Sequence, residues 1–290
     1  SLVPLPLCSF AGNKNALSCL PLVNNMHSIA FSSYGVTFRV ESNRKGTLER
    51  ARKVASKYLV GHHTDFDPDD ADHVFSIRVD KGKKYLVLDG EDLGETESSV
   101  GSDHYFGTRV RLLVAANSTE FVFLHSGVVG WKGKCVLFPA DSHEGKTTLV
   151  AEMIKRGAVY YSDDYAVIDK NGLVHAYPRK LSIRDRRISG KWSDLSASAF
   201  GALTGSEPLT VGAVLITRYK ENARWKPKLL TNGVGLLEMV PFIISLQNNP
   251  KGSLAIMKNA VSRAIIYRTP RPDIEFCVND IIKIIDKSVC

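Results

Sequence analysis

The sequence predicts an α/β protein of the α+β type, with a small N-terminal α+β domain followed by a larger domain built around a strand, a loop and a helix. Two observations predict this arrangement. Strand-like and helix-like apolar patterns alternate along the chain, without an internal repeat or a low-complexity tract. Near residue 120 the pattern changes, because fully apolar strand-like runs begin there and lead into Gly145-Lys146-Thr147.

The composition is that of an ordinary globular chain and argues against several partners. Hydrophobic residues make up 44% and charged residues 23% of the sequence, and no apolar run approaches the roughly 18–20 residues that cross a bilayer. The formal charge of +8 favours anionic partners in general. Basic patches interleaved with aromatic residues, which are typical of nucleic-acid readers, are not apparent. We therefore expect neither a nucleic acid nor a membrane as partner.

The cysteines and the first residues bear on location and domain limits. Five scattered cysteines form no CxxC pair and no ligand cluster with the histidines, which predicts free thiols in a reducing, cytoplasmic setting. Residues 1–25 lack a basic region before their apolar pieces, so they do not resemble a secretory signal, and we expect them to lie outside the fold. The predicted domains are therefore residues 26–119 and residues 120–290.

Residues 26–119 show the patterns of a small α+β unit. A strand with a local break at Tyr34-Gly35 precedes a helix whose apolar residues share one face. Two further strands are joined by Asp80-Lys81-Gly82-Lys83, a good hairpin turn, and a helical pattern closes the unit. The predicted elements are a strand over residues 28–40, a helix over 47–58, strands over 74–79 and 85–89, and a helix over 105–116.

Two polar features of this unit resemble metal motifs, but surface positions explain them better. Residues 65–70 carry the alternating carboxylates of a calcium loop, yet Asp70 stands where glycine is needed and Ser76 where the distal glutamate is needed. The pair His62-His63 has no third ligand spaced with it. We therefore expect a solvated acidic loop and surface histidines here.

The second domain begins with apolar strands and then carries a helix whose ends are both marked. The helix is predicted from Lys146 to about Arg156, and Gly157 supplies its C-terminal stop. The predicted strands cover residues 121–124, 128–129, 135–138, 159–161, 165–168 and 173–177, with a turn at 132–134 and a hairpin turn at 169–172.

The stretch PADSHEGKTTL, residues 139–149, ends like a phosphate-binding loop. A strand, a loop and a helix in this order aim backbone N–H groups and the positive end of the helix at a bound phosphate. Lys146 is predicted to reach the β- and γ-phosphates, and the Thr147 hydroxyl to reach Mg²⁺. The predicted nucleotide-binding residues are Ala140, Asp141, Ser142, His143, Glu144, Gly145, Lys146, Thr147 and Thr148.

Two positions of this loop depart from the glycine-rich pattern. Ala140 replaces the first glycine, which is tolerable if φ stays negative there. His143 stands where such loops often have glycine, and a positive φ at a histidine costs on the order of 1 kcal/mol or more. We expect this strain to weaken the loop without abolishing it.

A pair of adjacent carboxylates follows the next predicted strand. Asp163 and Asp164 stand at its end, where a magnesium ligand is needed beside a phosphate loop. Two such carboxylates can divide the work, one holding the metal and the other taking a proton from an attacking hydroxyl. The alternative is a solvated strand end or a structural cap. Loop and aspartates together favour a site more strongly than either does alone.

The segment LHSGVVGWKGKCVLFPADSHEGKTTLVAEMIKRGAVYYSDDYAVID, residues 124–169, resembles the catalytic core of the HPr kinase/phosphorylase family. It is closer still to the HPr-kinase-related proteins, which join such a core to a different N-terminal domain. The resemblance is more distant through residues 211–285, where strand-like and helix-like stretches follow the order of elements in the family. It implies a phosphoenolpyruvate-carboxykinase-like fold, distinct from the parallel-sheet P-loop NTPases.

The same resemblance implies a chemistry and a set of roles. The reaction is transfer of the ATP γ-phosphoryl group, with Mg²⁺, to a serine-like hydroxyl of a protein, a peptide or a small molecule. Lys146 and Thr147 would handle phosphates and Mg²⁺, Asp163 would hold the metal, and Asp164 matches the acid–base aspartate. His125 matches the active-site histidine; a buried histidine bonded to the backbone is the alternative. Family members often form homo-oligomers.

The segment VHAYPRKLSIRD, residues 174–185, resembles the related proteins' segment that ends in an arginine, matched by Arg184. True HPr kinases have a glutamate two residues earlier, where this chain has Ser182, and Asp185-Arg186 replaces Gly-Leu. The metal ligands are therefore expected to differ, and the departure argues against HPr as the acceptor. It also leaves open a catalytically silent, nucleotide-binding regulatory protein. Among the basic residues nearby, only Arg184 is predicted as a site residue; the others are Arg179, Lys180, Arg186, Arg187 and Lys191.

Overall fold

The computed structural model describes residues 26–60, 62–96, 99–142, 144–184 and 192–289, and the chain divides after Val114 into two compact units. Strands and helices occur in both, so the predicted mixture of α and β structure is confirmed. The domain boundary that the sequence predicts, at residues 119–120, lies just beyond the helix that crosses this division. Within the described residues, no helix combines the length and the apolar character needed to span a membrane.

The N-terminal unit is built on a six-stranded sheet in the order β3-β1-β2-β4-β5-β6. Its strands and helices are β1 (His27–Ser33), β2 (Val36–Ser42), α1 (Lys45–Tyr58), β3 (Thr64–Phe66), β4 (His73–Asp80), β5 (Lys83–Leu88), β6 (Glu91–Thr96) and α2 (Ser99–Asn117), the last of which crosses the division. Among these strands, β2 and β4 pair in parallel, and the other neighbours pair antiparallel.

Two tight turns set the register of this sheet. Tyr34 and Gly35, with φ of 51° and 77°, turn β1 back onto β2, so the predicted break is a hairpin turn. Lys81 and Gly82, with φ of 43° and 84°, join β4 to β5, which confirms the predicted second hairpin. Two successive positive φ angles give the twist that matches paired strands, and they explain why glycine follows a polar or aromatic residue at each turn.

The core of this unit is aromatic, and one histidine that the sequence predicts at the surface packs against it. Phe31, Phe38 and Phe75 are fully buried, and their rings pack edge to face or tilted. His62 is exposed, as predicted, but His63 is half-buried with its ring edge against Phe31. A surface position for His63 is therefore wrong, because the chain returning from α1 lays this ring over the aromatic core.

The C-terminal unit contains ten further strands and four helices among the described residues. In chain order they are β7 (Phe121–Trp131), β8 (Lys134–Pro139), α3 (Lys146–Ile154), β9 (Val159–Ser162), β10 (Tyr165–Asp169), β11 (Leu173–His175), β12 (Leu181–Arg184), β13 (Trp192–Leu195), β14 (Leu209–Tyr219), β15 (Lys228–Leu230), α4 (Asn232–Met239), α5 (Pro250–Ala260), β16 (Ile265–Arg271) and α6 (Ile274–Val289). Short 3₁₀ turns cover Pro68–Asp70 in the first unit and Ala197–Phe200, Val240–Phe242 and Ile244–Leu246 in the second.

The main sheet of this unit mixes parallel and antiparallel neighbours, in the order β11-β10-β7-β8-β14-β16-β15. β14 pairs in parallel with β8 and β16, whereas β7 runs antiparallel to β8. Both β9 and β10 pair with β7, so the chain between them interrupts what would otherwise be one strand. The predicted strand pieces at residues 121–124 and 128–129 are one continuous strand, β7, because the polar residues between them also pair.

Helices cover both faces of this sheet. Alternate residues of β7 and β8 point to opposite faces, so Val128 and Leu137 join one apolar cluster while Val129 and Val136 join the other. The first cluster includes side chains of α4 and α5, and the second includes side chains of α3 and α6. This burial fixes the start of α3 against the end of β8.

α3 is followed by the predicted glycine stop, whereas α5 has no counterpart in the prediction. Gly157, with φ of 93°, donates its N–H to the Ile154 carbonyl and ends the helix two residues before the predicted limit. α5 begins with Pro250 at its first position, after an Asn249 side chain that accepts the Gly252 N–H at 3.1 Å. Asparagine followed by proline is a helix-start signal.

Candidate functional site

The candidate site lies at the edge of the C-terminal sheet where three parallel strands end. Because β14 is parallel to both β8 and β16, the carboxyl ends of the three strands meet at one edge. The phosphate loop, defined here as residues 139–147, follows β8 directly, while β14 ends at Tyr219 and β16 at Arg271. Ligands of α/β sheets bind at the carboxyl ends of strands, so the fold favours a binding site at this edge.

Gly145 forms the junction between the phosphate loop and α3. It is the N-cap residue, with φ of 88° and ψ of 20°, a left-handed conformation that favours glycine. Its carbonyl accepts the Leu149 N–H at 3.1 Å, the first hydrogen bond of the helix. The N–H groups of the first turn of α3 are therefore directed toward the loop, together with the positive end of the helix dipole.

The first half of the loop is a compact turn. Ala140 is buried and does not have a positive φ, so the condition for tolerating alanine there is met. The Asp141 N–H donates to the Glu144 carboxylate at 3.1 Å, and the Glu144 N–H donates to the Asp141 carbonyl at 3.4 Å. Ser142 is exposed at this turn. His143, for which strain is predicted, lies outside the described residues.

Lys146 is buried in the middle of the loop. Its residue is 8% exposed, and its Nζ donates to the carbonyls of Ala140 and Asp141, each at 2.8 Å. Burial lowers the pKa of Lys146 to about 8, although the charges of Asp141, Asp163 and Glu144 act in the opposite direction. An ammonium group that is held by two backbone carbonyls of the loop lies where it can turn to phosphate oxygens bound there.

The Thr147 hydroxyl contacts the first aspartate of the predicted pair. Thr147 Oγ1 donates to Asp163 Oδ2 at 3.2 Å, while Thr148 lies half-buried on the next position of α3. The Tyr160 hydroxyl lies 3.3 Å from Asp163 Oδ1 and 2.7 Å from the Arg179 carbonyl, so one proton is shared between two acceptors. Burial raises the pKa of the Asp163 carboxyl, although the hydrogen bond from Thr147, the charge of Arg179 and the hydrogen bond from Tyr160 lower it.

The second aspartate is held by an arginine that the sequence did not identify. Arg179 Nη1 donates to Asp164 Oδ2 at 2.6 Å, and both side chains are largely buried. The Asp164 backbone is fixed as well, because its N–H donates to the Ser162 hydroxyl and its carbonyl accepts the Ser126 N–H, both at 3.1 Å. Arg179 was one of six basic residues near this segment, and its position opposite Asp164 depends on the path of the chain after β11.

His125 lies on β7 beside the two aspartates. Its Cα pairs with that of Tyr165, the residue after Asp164, and its ring lies edge-on to the Tyr165 ring with centroids 6.3 Å apart. The side chain is half-buried. Strand pairing therefore places His125 close in the sheet to Asp164, whose carbonyl accepts the N–H of Ser126, the residue after His125.

The ends of β14 and β16 hold the phosphate loop from the other side. Arg218 of β14 forms an ion pair with the Glu144 carboxylate, and the Tyr219 N–H donates to the Glu144 carbonyl at 3.4 Å. Arg271 of β16 donates from Nη2 to the Gly145 carbonyl at 2.9 Å. These residues carry no signal in the sequence, because their contacts join segments that are far apart in the chain.

The position predicted for Arg184 is only partly described. Its backbone pairs with that of Trp192 in the β12–β13 hairpin, while its side chain and the residues Asp185, Arg186, Arg187 and Lys191 lie outside the described part of the chain. Ser182, which occupies the place of the family's glutamate, is exposed and pairs with Asp194 of β13. An aspartate therefore stands across the hairpin from Ser182.

The described site offers oxygen ligands and cations rather than a preformed metal cage. Among the described residues, no group of three or more His, Cys, Asp or Glu side chains is arranged to hold a metal ion. Mg²⁺ does not require one, since it binds through one or two carboxylates together with phosphate oxygens and water. The Thr147 hydroxyl and the Asp163 carboxylate, already in contact, fit that mode, and Lys146 fits the phosphates.

No protein-family model matches the chain, and no curated protein is similar enough to it to count as a match. The chemistry of the phosphate loop and its neighbours is therefore the basis on which a function is assigned.

Proposed function

We propose that the protein is a kinase that uses ATP and Mg²⁺ to phosphorylate a hydroxyl group, with a catalytic unit of the HPr-kinase-like, phosphoenolpyruvate-carboxykinase-like type. The observation that carries the proposal is the contact of the Thr147 hydroxyl with the Asp163 carboxylate, made beside a buried lysine at a helix N-terminus. A hydroxyl and a carboxylate in that position are the protein ligands that magnesium takes next to a phosphate loop.

The arrangement of strands around the loop supports the fold part of the proposal. β8, which leads into the loop, has a parallel neighbour, β14, on one side and an antiparallel neighbour, β7, on the other. The aspartates come from the far side of β7, at the interruption between β9 and β10. This mixed sheet differs from the parallel sheets of other P-loop enzymes, and the resemblance implies such a difference.

In the proposed reaction, each described side chain has one task. Lys146 and the N–H groups of the first turn of α3 bind the polyphosphate and balance its charge. Thr147 and Asp163 would hold the magnesium ion, which supplies charge stabilisation for phosphoryl transfer. Asp164 accepts the proton of the attacking hydroxyl, and Arg179 fixes the orientation of its carboxylate. His125, on β7 opposite Tyr165, would contact the acceptor.

A second candidate function is a regulator that binds nucleotide and transfers nothing. The contact that favours it is the ion pair between Arg179 and Asp164, because it occupies one oxygen of the carboxylate that would act as base. Lys146, Thr147 and the helix N-terminus would bind nucleotide equally well in such a protein. The two functions therefore differ in turnover and agree on binding.

The experiment that tests the proposal compares Asp164→Asn with wild type. We expect wild-type protein to transfer phosphate from labelled Mg-ATP to water or to an acceptor in a cell extract. The variant should lose about 100-fold or more of this rate, because a positioned base contributes that much. Mg-ATP should still raise the melting temperature of the variant, since Asp164 is not a phosphate ligand.

The matched control is Asp280→Asn, which removes an exposed carboxylate that pairs with Lys283 on α6. This variant should retain the wild-type rate. Turnover in Asp164→Asn equal to that of wild type contradicts the kinase proposal. Thermal stabilisation by Mg-ATP without any turnover in wild type selects the regulator instead.

A further inference from the structure

Charged residues are rarely buried in this protein, and the two most buried ones touch the same loop. Among the described residues, Lys146 and Arg271 are the charged residues that are almost fully buried, at 8% and 2% exposure. Lys146 donates to carbonyls at the start of the loop, and Arg271 donates to the Gly145 carbonyl at its end. Burying a charge costs free energy unless hydrogen bonds or ion pairs compensate for it. Two buried charges at one loop therefore indicate that both serve the same site.

The guanidinium of Arg271 is held from three sides. Nη2 donates to the Gly145 carbonyl at 2.9 Å, and Nη1 donates to the Pro272 carbonyl at 3.2 Å. Its central carbon lies 5.7 Å from the centre of the Tyr219 ring, within the range of a cation–π contact. The Arg271 carbonyl accepts the Lys220 N–H at 2.9 Å, which ties the same residue to the end of β14.

Gly145 and Arg271 are also matched sterically. A β-carbon built at Gly145 would lie 2.1 Å from Arg271 Nη2, so a side chain there would push the guanidinium away. The Gly145 carbonyl already accepts the Leu149 N–H, and the guanidinium satisfies its second lone pair. Because a trans peptide is planar, a carbonyl that is fixed by two donors also fixes the Lys146 N–H in the opposite direction, toward the loop.

We infer that Arg271 is a positioning residue of the nucleotide site: it holds the Gly145–Lys146 peptide so that the first amides of α3 are aimed at the bound phosphates. The inference rests on the proposed function, since it takes the ligand of the loop to be a polyphosphate. Arg271 acts through Gly145 and contacts no phosphate itself. Its fork of N–H groups, more than its charge, is the property that the contact uses.

The test measures binding of Mg-ATP and of inorganic pyrophosphate by calorimetry in wild type, Arg271→Met and Arg271→Lys. We expect Arg271→Met to weaken both ligands about ten-fold, because the Gly145–Lys146 peptide is then no longer preorganised and must be ordered on binding. Arg271→Lys keeps one donor and should recover part of the affinity. Turnover at saturating Mg-ATP should change less than about three-fold, because the chemistry lies with other groups.

The matched control is Arg268→Met on the same strand. Arg268 is exposed and pairs with Glu238, away from the phosphate loop, and its loss should leave both affinities within about two-fold of wild type. Tyr219→Ala serves where Arg271→Met does not fold, because it removes the ring that stacks on the guanidinium and should weaken binding about three-fold. Unfolding curves of each variant establish that the protein is folded.

A measurement without ligand separates this inference from the proposed function. Hydrogen exchange of the Leu149 amide, whose N–H donates to the Gly145 carbonyl, should be about ten-fold faster in Arg271→Met. Absence of Mg-ATP and pyrophosphate binding in wild type overturns the proposed function, and the exchange rate then decides the role of Arg271 in the loop. The inference is overturned if folded Arg271→Met matches wild type in ligand affinity and in exchange of the Leu149 amide. Where Arg271→Met does not fold, the same result with both single variants, Arg271→Lys and Tyr219→Ala, overturns it.

Discussion

The two units of the protein differ in how far their charged side chains are buried. In the N-terminal unit the described ion pairs lie at the surface, as in Arg50 with Asp103, whose side chains are 44% and 30% exposed. In the C-terminal unit Lys146 and Arg271 are buried and Asp163 is half-buried, and all three side chains donate to or accept from the phosphate loop.

This difference shows which unit contains charges whose burial lowers the stability of the fold. Surface ion pairs contribute little, whereas a buried charge costs several kcal/mol that other interactions must offset. A fold keeps such charges where a ligand uses them, and perturbed ionisable groups therefore cluster at functional sites. In the C-terminal unit the cluster lies at the ends of the parallel strands. In the N-terminal unit, no charged side chain is buried to a comparable degree among the described residues.

The largest expected effect comes from removing the buried charge of the loop. Lys146→Met keeps the volume of the side chain and removes its ammonium group, so Mg-ATP should bind about 100-fold more weakly. Calorimetric titration of the purified variant measures this loss. Arg50→Met, which removes an exposed cation of the other unit, should bind Mg-ATP like wild type. Equal affinity of Lys146→Met and wild type would remove the basis for a site at the loop.

The second effect is the dependence of stability on pH that the buried lysine contributes. Burial lowers the pKa of Lys146 to about 8 from its ordinary 10.5, so between these values the unfolded chain binds more protons than the folded one. The free energy of unfolding therefore rises with pH from about 8 to about 10.5, by up to about 3 kcal/mol relative to Lys146→Met.

Urea unfolding of wild type and Lys146→Met, followed across this pH range with a chelator present, measures that difference. Below pH 8 the difference should be constant, because both states then carry the charge. A difference between the two proteins that stays flat up to pH 10.5 would mean that Lys146 is not buried as the structure describes.

The third effect separates backbone strain from the contact with Arg271. Gly145→Ala and Gly157→Ala both place alanine at a positive φ, at the two ends of α3. Only at Gly145 does the new β-carbon meet another group, Arg271 Nη2 at 2.1 Å, while nothing lies within 4 Å at Gly157. We expect Gly157→Ala to cost about 1 kcal/mol of stability and Gly145→Ala about 1–3 kcal/mol more. Chemical denaturation of both variants gives the comparison, and equal losses would contradict a close contact at Gly145.

The smallest effect is expected at the surface pair of the N-terminal unit. Arg50→Met removes an ion pair in which Nε lies 2.7 Å from Asp103, and the free energy of unfolding should change by about 1 kcal/mol or less. The measurement is a denaturation curve at low and at moderate salt. If Arg50→Met loses as much free energy of unfolding as Gly145→Ala, the surface charges of the N-terminal unit contribute more to stability than the exposure of their side chains indicates.

Local signals allowed the sequence to predict the hairpin at Lys81-Gly82, a break at Tyr34-Gly35 that proved to be a second hairpin turn, the start of α3 and the association of its loop with the aspartate pair. Tyr34-Gly35 and Lys81-Gly82 are turn pairs whose chemistry is complete within four residues. The contact of Thr147 with Asp163 follows from a strand, a helix and a strand that are consecutive in the chain. Fold class and the core of the candidate site were therefore predictable, although the fold family and the reaction remain proposals.

The residues of β14 and β16 that contact the phosphate loop were not predictable from the sequence, for a physical reason. Arg271 meets Gly145 across 126 residues, and Arg218 meets Glu144 only because β14 lies beside β8. Nothing in the sequence near either arginine specifies that pairing. α5 is a different omission, since Asn249 and Pro250 are a local start signal that was present in the sequence and was overlooked.

The contact of Arg271 with Gly145 also has a consequence for the order in which parts of the protein fold during synthesis. Chains emerge N-terminus first, and contacts between distant residues form late because closing the long intervening segment costs entropy. β8 and α3 leave the ribosome long before β16, so the loop exists for a time without the arginine that supports it. In the proposed nucleotide site, full affinity should therefore require that β16 has docked, and ATP would stabilise the finished unit more than any shorter nascent chain.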